Sequence, residues 1–127
     1  MDEIEGNRKK FDLEERTFEF AREIIAFVNK LKKTLANIEV GKQLIRAGGS
    51  VGANYIEANE GFSRKDYILR VKICRKEAKE AGYWLRLVEC HQDLEDSRIK
   101  LINEAKELTK IFGAIITKCN ITTNPKS

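Results

Sequence analysis

The chain has 127 residues, the length of one ordinary domain, with 42% hydrophobic and 35% charged residues and a single proline. That mixture suits long amphipathic helices better than strands and turns, and the formal charge of +4 admits anionic partners without demanding them. No apolar run approaches the roughly 20 residues that span a bilayer, and Cys74, Cys90 and Cys119 offer no CxxC spacing for zinc or redox work.

The sequence divides into a flexible basic arm over 1–11, carrying Arg8, Lys9 and Lys10, a helical bundle over 12–120 and a disordered tail over 121–127. The first helix is expected from about Asp12 to Lys33, with Asp12 and Glu15 spaced as a capping box. Phe18, Ala21, Ile25 and Val28 form one apolar stripe, and Phe20, Ile24, Phe27 and Leu31 a second. Together they cover about half the helix, more than a lone small bundle needs. The surplus assigns Phe20, Ile24, Phe27 and Leu31 to contact with another chain.

The second helix is expected from about Ile38 to Asn59, with Asn37 as N-cap. Val40, Leu44, Ala47, Val51 and Ala58 share one face. Gly41, Gly48, Gly49 and Gly52 interrupt it, each costing about 0.5–1 kcal/mol against alanine. They imply either a close approach by a neighbouring helix or a kink.

Glu60-Gly61-Phe62-Ser63 is the clearest break. Gly61 suits a left-handed C-cap, and Ser63 with Asp66 suits the start of the third helix. That helix is expected from about Arg64 to Leu94. Tyr67, Val71, Cys74, Ala78, Ala81, Leu85 and Val88 step 4-3-4-3-4-3 along it, a heptad seam. Trp84, Leu87, His91 and Leu94 form a further stripe, from which Trp84, Leu87 and His91 join the expected interface between chains. The fourth helix, about Arg98 to Asn120, repeats the seam with Leu101, Ala105, Leu108, Phe112, Ile115 and Cys119. Short connections between long helices give an all-α, antiparallel up-down-up-down four-helix bundle.

No catalytic constellation, cofactor motif or metal-ligand spacing stands out. His91 lacks the Glu three residues before it that di-iron bundles use, so it reads as a packed or interfacial residue rather than a ligand. Asn54 and Glu57 share a face of the second helix. A buried polar pair there can fix register; an acid-base role would need a further carboxylate or histidine. The cysteines behave as small hydrophobes on helix seams. Their odd number and the polar N-terminus fit a reducing cytoplasm.

The strongest functional feature is basic. Lys65, Lys72, Lys79 and Arg86 recur every seven residues, with Arg75 and Lys76 beside them. At 1.5 Å per residue the row is about 30 Å long, matched to phosphates along a nucleic-acid backbone. A solvated face with scattered ion pairs is the plain alternative.

Several pieces recur together: Gln43-Leu44-x-Arg46, Ser50-Val51-Gly52-Ala53-Asn54-Tyr55-x-Glu57-Ala58, the Ser63 turn, Lys76-Glu77-Ala78-x-Glu80 and Tyr83-Trp84-Leu85. In these the chain resembles the bacterial four-helix bundle proteins first recognised as reading frames in intervening sequences of 23S ribosomal RNA genes. The resemblance covers about residues 10–119. It implies a closed ring, a homopentamer, similar in fold to the basic accessory protein of diversity-generating retroelements. Gly48 and Gly49 depart from the commonest pattern. The leading expectation is therefore a non-enzymatic oligomer that associates with ribosomal RNA or DNA. The alternative is a scaffold docking a partner protein, such as a reverse transcriptase or a ribosomal component. A di-iron enzyme is a third reading, disfavoured by the missing Glu-x-x-His pairs.

Overall fold

The computed structural model describes the backbone of residues 2–123 and the side chains of residues 12–120. It holds four α-helices, α1 (Asp2–Asn29), α2 (Leu35–Asn59), α3 (Arg64–Leu87) and α4 (Glu95–Thr123), with a short 3₁₀ turn, Gln92–Leu94, before α4. Among the described residues there is no strand, and no helix is long and apolar enough to cross a membrane. The expected basic arm (1–11) and tail (121–127) fall outside the residues whose side chains are described, although the α1 backbone is already helical from Asp2.

The two stripes of α1 exchange the roles expected of them. Phe20, Ile24, Phe27 and Leu31 are buried within the chain, at 1%, 0%, 3% and 6% exposure, so they do not wait for a second copy. Phe18 and Ile25, from the other stripe, are 54% and 44% exposed. The cause is the full heptad, Leu13-Thr17-Phe20-Ile24-Phe27-Leu31, which steps 4-3-4-3-4 like the other helices. Thr17 conceals it in the sequence. Its hydroxyl turns back to donate to the Glu14 carbonyl at 2.9 Å, so the polar atom is satisfied in the core.

The glycines of α2 seat α1. A Cβ at Gly41 would lie 3.0 Å from Val28 Cγ1, at Gly48 2.6 Å from Ile24 Cδ1, and at Gly52 2.9 Å from Thr17 Oγ1. Close approach is thus the reason for three of the four. Gly49 is different: a Cβ there would meet nothing within 4 Å.

Thr34, not Asn37, caps α2, its side chain accepting from the Asn37 amide at 3.1 Å. Asn37 instead ties two turns together. Its Nδ2 donates to the carbonyls of Lys32 (3.0 Å) and Glu89 (2.8 Å), and its Oδ1 accepts from the Glu89 amide at 2.9 Å. This capture accounts for a second correction. Helix α3 stops at Leu87 rather than Leu94, with Val88 extended, and Arg98 Nη1 donates to the freed Val88 carbonyl at 3.0 Å. His91 consequently sits in an exposed turn and not on a helical stripe with Trp84 and Leu87.

At the other end of α3, Ser63 caps as expected, accepting from the Asp66 amide at 3.1 Å. Gly61 is not left-handed; among the described residues no glycine has positive φ, and Glu60 closes α2 with φ −100°. The heptad seams of α3 and α4 are buried as the spacing implies. They include Val71, Cys74, Ala78, Ala81 and Leu85 on α3, and Leu101, Ala105, Leu108 and Phe112 on α4. Near the end of α4 the seam moves from Ile115 to Ile116, the drift of a 3.6-residue turn against a seven-residue repeat. The rings of Tyr55 and Phe112 meet across the core, 5.8 Å between centroids.

Candidate nucleic-acid interface

The seam of α3 buries one side of the helix, so the residues half a turn away must face water. Lys65, Lys72, Arg75, Lys76, Lys79 and Arg86 are all exposed. Spacing of seven keeps Lys65, Lys72, Lys79 and Arg86 on one side of the unbroken helix, and Arg75 and Lys76 flank them. Lys65 and Lys72 border a shallow hollow with Asp66, Ile68 and Leu69 near the start of the helix. Arg75 leans toward α4, its Cδ 3.9 Å from where a Cβ at Gly113 would lie. Lys76 lies on the α2 side, close enough to Glu80 to help lower that carboxyl's pKa.

Lys79 and Arg86 do come together. They line a groove of about 390 Å³ between α3 and α4. Lys106 and Lys110 of α4 line the same groove, and its floor is Ala78, Gly82, Ile102 and Ala105. Gly82 lets the helices meet: a Cβ there would already touch Ala105 Cβ at 3.5 Å. No acidic residue lines the groove, and none of its four cations forms an ion pair among the described residues. The lysines of α4 are missed by reading α3 alone. Their signal was the spacing of Lys106 and Lys110, one helical turn apart.

Tyr83 stands on the rim of this groove, 54% exposed. Its ring meets Trp84 edge-on, 5.0 Å between centroids at 72°. Trp84 Nε1 donates to Glu80 at 3.3 Å. Glu80 in turn binds Arg46 of α2, which also donates to Glu77 at 3.1 Å. The dispersed pieces Gln43/Arg46, Glu77/Glu80 and Tyr83/Trp84 thus converge in one polar network across α2 and α3. Glu77 is 6% exposed, and its Oε1 has no hydrogen-bond partner among the described residues. Burial pushes the Glu80 carboxyl up, but the hydrogen bond from Trp84 and the charges of Arg46 and Lys76 help to outweigh it, leaving a lowered pKa.

Asn54 belongs to a second link between the same helices. Its Nδ2 donates to the Ser50 carbonyl and hydroxyl, each at 2.9 Å, and its Oδ1 accepts from Arg70 at 3.3 Å. Glu57 is exposed on α2 and is not drawn into this link. Leu87 is exposed and Trp84 half-buried, so both have surface to offer a partner. Among the described residues no group of three or more His, Cys, Asp or Glu is placed to hold a metal ion. Cys74, Cys90 and Cys119 form no disulfide among the described residues. Burial pushes the Cys74 thiol up to about 12.

Residues 9–114 match the family of 23S rRNA-intervening sequence proteins. Among solved structures, the chain is similar to a protein of unknown function from the S23 ribosomal protein family of Bacteroides thetaiotaomicron VPI-5482. The two are 31% identical with a TM-score of 0.69, over 86% of this chain and 98% of the other. No curated protein sequence shows a significant match.

Proposed function

Because the chain belongs to the 23S rRNA-intervening sequence protein family, we propose that it is a non-enzymatic bundle that self-associates and binds nucleic acid, with ribosomal RNA the first substrate to test. The observation that carries the reading is the α3–α4 groove, where Lys79, Arg86, Lys106 and Lys110 gather without a lining acid. Cations with no ion pair among the described residues keep their attraction for phosphate, and backbone contacts of this kind bind without reading sequence. The ribosomal-protein family of the structural neighbour favours RNA over DNA. Cysteines not joined in disulfides among the described residues are consistent with a cytoplasmic setting.

The helices are proposed to run antiparallel, up-down-up-down. Three sets of contacts support this order. Thr17, Ile24 and Val28 of α1 meet Gly52, Gly48 and Gly41 of α2; Arg46 and Asn54 of α2 meet Glu77 and Arg70 of α3; and Arg75 and Gly82 of α3 meet Gly113 and Ala105 of α4. Self-association is proposed through α1 and α2. Their outer faces leave Phe18, Ile25, Ile38, Ile45 and Ile56 exposed, more large apolar surface than scattered single residues present. The resemblance implies five copies. Light scattering coupled to size-exclusion chromatography tests this: Phe18→Glu with Ile45→Glu should give monomers, and an unchanged mass would remove this face from the account. Binding is tested by reversing Lys79 and Lys110 to Glu, which should abolish RNA affinity while assembly persists.

Docking of a partner protein is the second reading. Leu87 and Tyr83, exposed beside Trp84, favour it. A partner that stays bound to the immobilised chain after nuclease treatment, and is lost with Leu87→Glu, would support it.

A further inference from the structure

Four cations alone would suit any phosphate row, duplex or single-stranded. The groove has two further properties that separate the cases. Between the cations its lining is mostly apolar, Ala78, Gly82, Ile102 and Ala105 with the single hydroxyl of Thr109, which is turned to the Ala105 carbonyl. Such a lining has little to offer a phosphate, but it suits the face or edge of a base. Tyr83 also presents a half-exposed ring on the rim, among the cations rather than apart from them.

That ring is held in place. Trp84 packs edge-on against it, Trp84 is fixed by its hydrogen bond to Glu80, and Glu80 is fixed by Arg46. A tyrosine anchored through three residues loses little freedom when a base settles on it, which favours binding. In a duplex the base faces are stacked inside and unavailable. In a single strand they can be splayed onto an aromatic ring.

We propose that the α3–α4 groove takes a single-stranded segment of nucleic acid, one base stacking on Tyr83 while neighbouring phosphates lie against Lys79, Arg86, Lys106 and Lys110. This rests on the nucleic-acid reading above and narrows it to unpaired loops, bulges or ends. Tyr83 supplies stacking and tolerates any base, since every base has a π-face. The cations supply the salt-sensitive part of the affinity.

The test uses the whole chain and fluorescence anisotropy with two labelled RNAs of equal strand length, an unstructured oligouridylate and a blunt-ended duplex of two complementary strands without a loop. The single strand should bind more tightly. Tyr83→Ala should weaken it by about 5- to 150-fold, the range of one lost base–aromatic stack, and leave the duplex unaffected; Tyr83→Phe should keep the native affinity. Tyr83 is at the surface, and circular dichroism checks that each variant is folded. Loss of binding with Lys79→Glu and Lys110→Glu, but an unchanged affinity with Tyr83→Ala, would overturn the stacking proposal and leave phosphate binding standing. Equal affinity for the two RNAs would also overturn it. Displacement of the strand by polyglutamate at matched charge would show a groove for any polyanion and overturn it as well. Absence of binding to either RNA at low salt would defeat both this proposal and the reading it rests on.

Discussion

Asn37 should be among the most sensitive polar positions in the chain. It is 4% exposed and makes three backbone hydrogen bonds, two as donor and one as acceptor. Each such bond contributes about 1 kcal/mol net, and an orphaned buried partner costs more than the bond was worth. Asn37→Ala should therefore cost about 2–4 kcal/mol. For a domain of this size that lowers the melting temperature by about 8–15 °C. Asn37→Asp should be at least as damaging. Its carboxylate could still accept from Glu89, but it would set a negative charge against the Lys32 and Glu89 carbonyls that now receive hydrogen bonds. Urea titration followed by circular dichroism measures both. A loss below about 1 kcal/mol for Asn37→Ala, or an aspartate variant more stable than the alanine one, would refute this account of why α3 ends where it does.

Other outcomes follow from the same geometry. Ser63→Ala removes the cap that accepts from Asp66 and should cost about 1 kcal/mol by urea titration. Gly49→Ala should be neutral or stabilising by up to about 1 kcal/mol, because a Cβ there meets nothing, whereas Gly52→Val should destabilise by wedging α1 away from α2 at Thr17. A thiol reagent should reach Cys74 only after unfolding, since it is fully buried. Stability should fall at alkaline pH: the unfolded chain ionises Cys74 near its ordinary 9.0 and Tyr55 near 10.0, while burial holds both protons to about 12 in the fold, so rising pH favours the unfolded state. Chemical denaturation repeated from pH 8 to 11 reads that slope.

The heptads of α3 and α4 were legible because their seams carry almost nothing but apolar residues. The α1 seam was not, since Thr17 breaks it and a neighbouring stripe, Phe18 to Val28, is equally apolar on paper. Only the glycines of α2 decide which stripe turns inward: Gly48 and Gly52 seat Ile24 and Thr17 of the buried seam, while Val28 of the other stripe reaches Gly41 at the edge. The end of α3 was hidden for another reason. No glycine or proline marks Val88; a side chain fifty-two positions earlier in the chain takes hold of Glu89 instead. Long-range side-chain capture leaves no local signature. The basic face was half visible. Seven-residue spacing found Lys79 and Arg86, but their grouping with Lys106 and Lys110 depends on how α4 packs over Gly82.

The central claim is that these four cations bind nucleic acid. The most direct measurement is the affinity of the whole chain for a labelled ribosomal RNA stem-loop with an unpaired loop, across a salt series, beside Lys79→Glu with Lys110→Glu. The account predicts binding that weakens steeply with salt, and a double variant that remains assembled but no longer binds. Native binding retained by the double variant, or no binding by the native chain at low salt, would contradict it.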